Sequence, residues 1–151
     1  MNSVAQRQLW IATLAKAALN DLEPQVSRLG HLPHYGFLRR PEVGLAMVRG
    51  RAGGTGQPFN LGEMTITRCV VQLASHDSNP IAGFGYVAGR SHRHAELAAL
   101  CDALLQHPDW YSCVWSQVIE PLKQAAQAKQ EQQQRQAEAT RVNFFSMVRG
   151  E

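Results

Sequence analysis

Met64-Thr-Ile-Thr-Arg-Cys-Val-Val-Gln-Leu-Ala74, Ser75-His-Asp-Ser-Asn-Pro80 and Ile81-Ala-Gly-Phe-Gly-Tyr-Val-Ala-Gly89 follow one another in the chain. The first run is rich in Thr, Ile and Val, both outer runs carry a period of two, and turn-forming residues separate them. So short a connection joins antiparallel neighbours. Upstream, residues 35–40 and 43–51 read as another pair of strands about Arg40-Pro41-Glu42. The expected sheet is therefore a four-stranded antiparallel meander, and the fold class α+β.

Helical patterns flank that sheet. Residues 4–18 place Leu9, Trp10, Ala12, Thr13, Leu14 and Ala17 at helical spacing. Asn20 or Asp21 caps a second short helix carrying Leu22, Val26 and Leu29, which Gly30 ends. Ser91 is a good N-cap for the helix after the last strand, whose buried stripe runs from Ala95 and Leu97 to Leu104 and Leu105. His107-Pro108-Asp109 stops that helix, residues 110–119 are helical again, and Glu120-Pro121 begins a last helix.

Residues 123–140 carry seven glutamines, three of them consecutive. A helix polar all round is an exposed arm or one stabilised by a partner. About 20 residues would project roughly 30 Å. Beyond it, Val142-Asn-Phe-Phe-Ser-Met-Val-Arg-Gly150 is apolar, which suggests docking onto the chain's own sheet or onto another subunit. The expected organisation is one α+β domain over residues 1–122, then a polar helical arm and an apolar docking segment over 123–151.

A length of 151 residues suits a single domain with a real core, and 44% hydrophobic with 18% charged residues excludes wholesale disorder. The net charge of +3, with a pI near 9.0, suits an anionic small molecule or an acidic partner surface. It falls short of a nucleic-acid-binding signature. Cys69, Cys101 and Cys113 show no CxxC spacing, which fits free thiols in a reducing cytoplasm. The first ten residues hold no long apolar run or cleavage signal, and no stretch approaches the roughly 20 apolar residues of a membrane span. A cytoplasmic protein is expected.

In the expected meander, the end of 43–51, the start of 64–74 and the end of 81–89 share one edge. Arg51, Gly53-Gly54-Thr55-Gly56, Glu63, Arg90 and the start of the Ser91 helix would then converge on an anion-friendly pole. Arg49 and Arg51 continue the strand face of Val43, Leu45 and Met47, so an apolar face turns basic at its end. Arg68 shares parity with Ile66 and Val70, which implies a half-buried guanidinium needing a carboxylate or phosphate. A plainer reading stands beside this one. The glycine run lacks the Gly-Lys-Ser/Thr ending of a phosphate-binding loop, and the arginines would simply pair with Glu63 or Glu96.

His94-Ala-Glu96 has the spacing of a zinc deaminase's ligand and proton shuttle, but the required Pro-Cys-x-x-Cys is absent. On a helix His92 and Glu96 share a face that His94 does not, so no metal site is expected. No serine sits in a nucleophile elbow and no cysteine has an evident basic partner. Catalytic residues remain unassigned.

Several motifs occur in order: Glu42-x-Gly-Leu45, Arg51-x-Gly-Gly-Thr-Gly56, Phe59-x-x-Gly62, Thr65-x-Thr-Arg68, Tyr86-Val-x-Gly-Arg90, His94-Ala-Glu96, Asp102-Ala-Leu104, Glu120-Pro121 and Thr140-Arg-Val-x-Phe-Phe-x-Met-Val-Arg-Gly150. Together, from about Arg7 to Gly150, they resemble the PhnG family, subunits of the bacterial carbon–phosphorus lyase core complex. The chain departs from a minimal version of that pattern in its turn 75–80 and its glutamine-rich arm, neither of which touches the motifs.

The resemblance implies work in a complex with PhnH, PhnI, PhnJ and PhnL, with PhnI as catalytic partner. An alkylphosphonate attacks the ribose C1′ of ATP, adenine leaves, and an alkylphosphonate ribose 5-triphosphate forms. Radical cleavage of the carbon–phosphorus bond, with an iron–sulfur cluster and S-adenosylmethionine, falls to PhnJ. The three cysteines here lack a cluster pattern. No cofactor is expected on this chain alone, ATP being a substrate of the complex.

Candidates for substrate or partner binding are Arg51, Gly53, Gly54, Thr55, Gly56, Arg68, Arg90, His94 and Glu96. Candidates for an interface are Phe144, Phe145, Met147 and Arg149. A phenylalanine pair with a methionine can anchor in a partner groove, each contributing about 1.5–3 kcal/mol on burial. Two alternatives remain: a free-standing phosphate- or nucleotide-binding protein using the same basic edge, and a pure assembly scaffold.

Overall fold

The computed structural model describes residues 3–74 and 80–140. The fold is α+β, and its sheet has three strands rather than the expected four. These are β1 (Tyr35–Arg51), β2 (Pro58–Leu73) and β3 (Ile81–Ala88), antiparallel in the order β1-β2-β3. Arg40-Pro41-Glu42, read as a break, lies inside β1. Because β1 is an edge strand, Pro41 can sit there without costing a ladder on both sides. Register shifts between Phe37 and Arg39 and between Arg39 and Glu42 absorb the irregularity. β2 also begins earlier than expected, since 58–63 is strand and not loop.

Five helices accompany the sheet among the described residues. In α1 (Val4–Lys16) Ser3 and Gln6 form a capping box. α2 (Leu19–Arg28) starts two or three residues ahead of expectation, with Ala18 as an N-cap that makes no side-chain bond. α3 (His92–Gln106) takes its cap from Ser91, whose Oγ accepts from the His94 N–H at 3.3 Å. α4 (Pro108–Val114) and α5 (Glu120–Ala139) are joined without a break by a π-helical turn, Trp115–Ile119. Glu120-Pro121, expected to start a new helix, thus lies inside a continuous one. Pro121 has no N–H to give the carbonyl four residues back, and the widened turn just before it takes up that mismatch.

α3 covers one face of the sheet at very short range. A Cβ placed on Gly83 would lie 2.0 Å from the Ala99 carbonyl oxygen, and one on Gly85 would lie 2.0 Å from that of Ala95. Glycine is therefore obligatory at both positions, and Ala95, Ala99 and Ala103 keep the facing helix equally slim. Around this contact the core collects Cys69, Val71 and Val87 from the sheet, Leu100 and Leu104 from α3, and Trp10 and Leu22 from the N-terminal helices.

Asp102, fully buried on α3, ties three elements together. It accepts from Arg7 Nε at 3.1 Å and Nη2 at 2.7 Å, from Trp10 Nε1 at 2.8 Å, and from the backbone N–H of Phe84 at 2.9 Å. A buried carboxylate is tolerable when a cation and several donors surround it, and here each condition is met. Gln106 Nε2 donates to the Ala82 carbonyl at 2.9 Å, so α3 side chains occupy the outward edge of β3 that would otherwise invite another strand.

Asp102→Ala would strand the Trp10 indole N–H and the Phe84 amide. Each unsatisfied buried donor costs about 1–3 kcal/mol, so urea denaturation should show a combined loss of about 3 kcal/mol. A loss below about 1 kcal/mol would remove Asp102 from this central role.

Candidate functional site

β3 stops at Ala88, opposite Ile66, yet β1 and β2 continue past that point. Residues 44–65 therefore form a two-stranded ribbon with no third strand among the described residues, reaching roughly 25 Å beyond the sheet at about 3.3 Å per residue. The ribbon closes through a 3₁₀ turn, Ala52–Gly54, in which Gly53 and Gly54 take φ of 59° and 78°. Those left-handed conformations explain the glycine run as a tight reversal between antiparallel strands.

Both faces of the ribbon show apolar side chains to solvent. On β1, Val43, Leu45 and Met47 are exposed, Leu45 at 64%. Arg49 and Arg51 continue the same alternation and are exposed at the tip, so the expected turn from apolar to basic is present. The other face carries Phe59 and Met64, together with Leu61, whose Cδ1 would lie 2.6 Å from a Cβ on Gly50. Register slips by one residue between Val48 and Arg49, leaving Leu61 without a direct partner across the ribbon. Arg49 and Arg51 make no ion pair with any described residue.

The structure does not gather the remaining candidates at this tip. Arg51 lies opposite Pro58 in the register, whereas Arg90 follows β3, beyond Ala88 opposite Ile66. The two arginines are thus separated by about five residues of ribbon, roughly 15–20 Å. Arg68 has the carboxylate its position called for: Glu42 Oε1 accepts from its Nε at 2.6 Å and from Arg39 Nη1 at 2.6 Å. The two guanidinium groups hold the Glu42 carboxyl below its ordinary range. His94 is buried, and its Nε2 donates to the Leu14 carbonyl at 2.8 Å, fastening α3 to α1. Glu96 accepts from the Tyr35 hydroxyl at 2.6 Å and pairs with Arg93 at 3.4 Å. Burial and that carboxylate push the Tyr35 phenol up to about 12. Arg68, His94 and Glu96 are thus engaged in holding the fold.

Phe144, Phe145, Met147 and Arg149 lie outside the described residues. Among those described, no group of three His, Cys, Asp or Glu side chains could hold a metal ion. Nor is any helix long and apolar enough to cross a membrane. An open groove of about 660 Å³ between α1 and α5 is floored by Leu9, Ala12, Leu122 and Ala126, with Lys16 and Lys123 at its rim. Burial pushes the Cys69 thiol up to about 11 and the Cys101 thiol up to about 12, so neither is poised as a nucleophile.

Sequence reading missed Phe59, Leu61 and Met64 as exposed ribbon residues. The available signal was symmetry: Phe59-Asn-Leu mirrors the alternation of Leu45-Ala-Met across a glycine-rich turn.

An α+β fold with an outstretched apolar ribbon, and with its buried polar side chains engaged in packing, presents the kind of surface that marks an interacting protein. The comparisons give the family. The family described as "Phosphonate metabolism protein PhnG" matches residues 5–150, and the chain belongs to it. The alpha-D-ribose 1-methylphosphonate 5-triphosphate synthase subunit PhnG of Rhizobium meliloti (strain 1021) is 40% identical over 152 residues, covering 98% of this chain and 92% of that protein.

Intermediate exposure makes Cys113 the accessible thiol, while Cys69 and Cys101 are buried. Under native conditions near neutral pH, a thiol reagent should label Cys113 first and the other two only on unfolding. Fast native labelling of Cys69 or Cys101, read by mass spectrometry of the peptides, would contradict this packing.

Proposed function

We propose that this chain is a subunit of an alpha-D-ribose 1-methylphosphonate 5-triphosphate synthase, within a carbon–phosphorus lyase complex of the cytoplasm. In that complex the ribose 5-triphosphate moiety of ATP passes to an alkylphosphonate and adenine is released. Near-full-length similarity to a synthase subunit carries the reading. The described residues support a co-catalytic or structural part in it, because the ionisable side chains best shielded from water are committed to internal contacts. ATP is a substrate of the whole complex rather than a resident of this chain. PhnI, PhnH, PhnJ and PhnL are the proposed companions, with the bond-making centre in PhnI. The division into a domain over 1–122 and a polar arm with docking segment over 123–151 belongs to the same proposal. Leu122 is the one buried residue of α5, and the helix is solvated beyond it.

The experiment is a tagged purification at native expression from phosphate-starved cells, with the mass of the species and its adenine-releasing activity measured. A heteromer of phosphonate subunits with that activity is expected; a lone monomer or homodimer would overturn the reading. Separation of Arg51 from Arg90 adds a sharper expectation. Sites farther apart than about 10 Å act independently within about 0.5 kcal/mol. Arg51→Ala and Arg90→Ala should therefore impair transfer additively, whereas a shared anion site would make the double variant strongly non-additive.

A further inference from the structure

The geometry points to the β1–β2 ribbon as an insertion arm that seats in an apolar cleft of a different polypeptide, with carboxylates at the cleft's deep end to meet Arg49 and Arg51. This rests on the proposed membership of a heteromeric synthase and deepens it by naming the surface and its complement.

Three observations converge on this assignment. First, Leu45, Met47, Phe59 and Leu61 are 45–64% exposed and divided between the two ribbon faces, so one helix laid on one face would leave the other wet. A cleft that grips both faces matches the distribution. Second, the tip concentrates positive charge: Arg49 and Arg51 lie on one face, and neither pairs with a described residue. From residue 48 to residue 59 the chain contains no acidic residue. An apolar shaft with a basic end calls for an apolar wall with an acidic end.

Third, the described residues do not offer that wall to a second copy of this chain. Glu23, Glu42, Glu96, Asp102 and Glu131 are already paired with arginines. Asp21, Glu63, Asp109, Glu120 and Glu138 are dispersed over α2, β2, α4 and the two ends of α5. No described surface gathers two of them beside an apolar cleft. The occupant is therefore a different chain.

Among the described residues, the β2 edge facing away from β1 toward the tip from Thr65 also lacks a partner strand, as does the outer edge of β1. The cleft can thus pair backbone to backbone with either strand as well as pack on the side chains.

The test uses the full chain in its native complex, with a photo-crosslinking amino acid at Leu45, at Leu61, or at Gln127 on α5 as control. Light should join both ribbon positions to one and the same partner subunit, with adducts on cleft peptides bearing Asp or Glu. R49E/R51E should lower recovery of the chain in the heteromer at least about tenfold, more strongly at low salt. Adducts between two copies of this chain would overturn the inference, as would an intact heteromer in which neither ribbon position joins a partner subunit. So would a heteromer indifferent to charge reversal but impaired in triphosphate binding, which would make the tip an anion site instead. In each of these cases the heteromer survives and only the ribbon's role falls. If no heteromer is recovered from wild-type cells, the proposed function falls with it.

Discussion

Everything in this protein is arranged around the near-contact of α3 with β3, and Asp102 is the bond that fixes its register. Gly83 and Gly85 let the helix backbone approach to where any side chain would collide, so packing alone selects the depth. Sliding along the strand is a separate freedom, which smooth small residues do not oppose. The Asp102 carboxylate opposes it by taking the Phe84 amide of β3 and the Trp10 indole and Arg7 guanidinium of α1 at once. Moving α3 by one residue would break all of these together and leave an unpaired charge in the interior.

That anchoring has a consequence at the far end of the sheet. A helix of 15 residues is about 22 Å long, close to the span of the eight-residue β3 it covers. With α3 pinned over β3, neither reaches residues 44–65. α1 and α2 are likewise engaged through Trp10, Leu14, Leu22 and Val26 on the core side. No described helix of this chain is left to shield the ribbon.

Legibility in the sequence followed how local each determinant was. The Ser91 cap of α3, the existence of α1 and α2 and the antiparallel order of the strands could be read from spacing, because capping and alternation act over a few residues, whereas the start of α2 at Ala18, which makes no capping bond, could not. Pro41 misled for the same reason. Read locally it ends a strand, and only its place on a sheet edge, a property of topology, makes it harmless there. Pro121 was read as a helix start on equally local grounds, when a π turn let one helix pass through it.

The candidate site divided along similar lines. Arg49 and Arg51 were found on the face that strand parity assigns them, but their convergence with Arg90 depended on β2 beginning at Met64. Once Pro58–Leu73 pairs as one strand, the tip is carried away from Arg90. Asp102 entered only as a letter in a motif; its partners in α1 and β3 lie 18 to 95 residues away, beyond any local pattern.

The same physics separates two kinds of polar residue in this chain. Asp102, His94 and Glu96 sit where water is scarce, and there a polar group must be satisfied internally or it unfolds the protein. Their hydrogen bonds are consequently spent on the fold. Arg49 and Arg51 sit where water already satisfies them, so their position at the end of an apolar ribbon does nothing for the stability of this chain. A two-stranded ribbon is marginal by itself, and exposed leucine, methionine and phenylalanine along it favour association over solvation. Its shape makes physical sense as part of a larger body, in which the arginines exchange water for carboxylates while the apolar residues leave water on both faces.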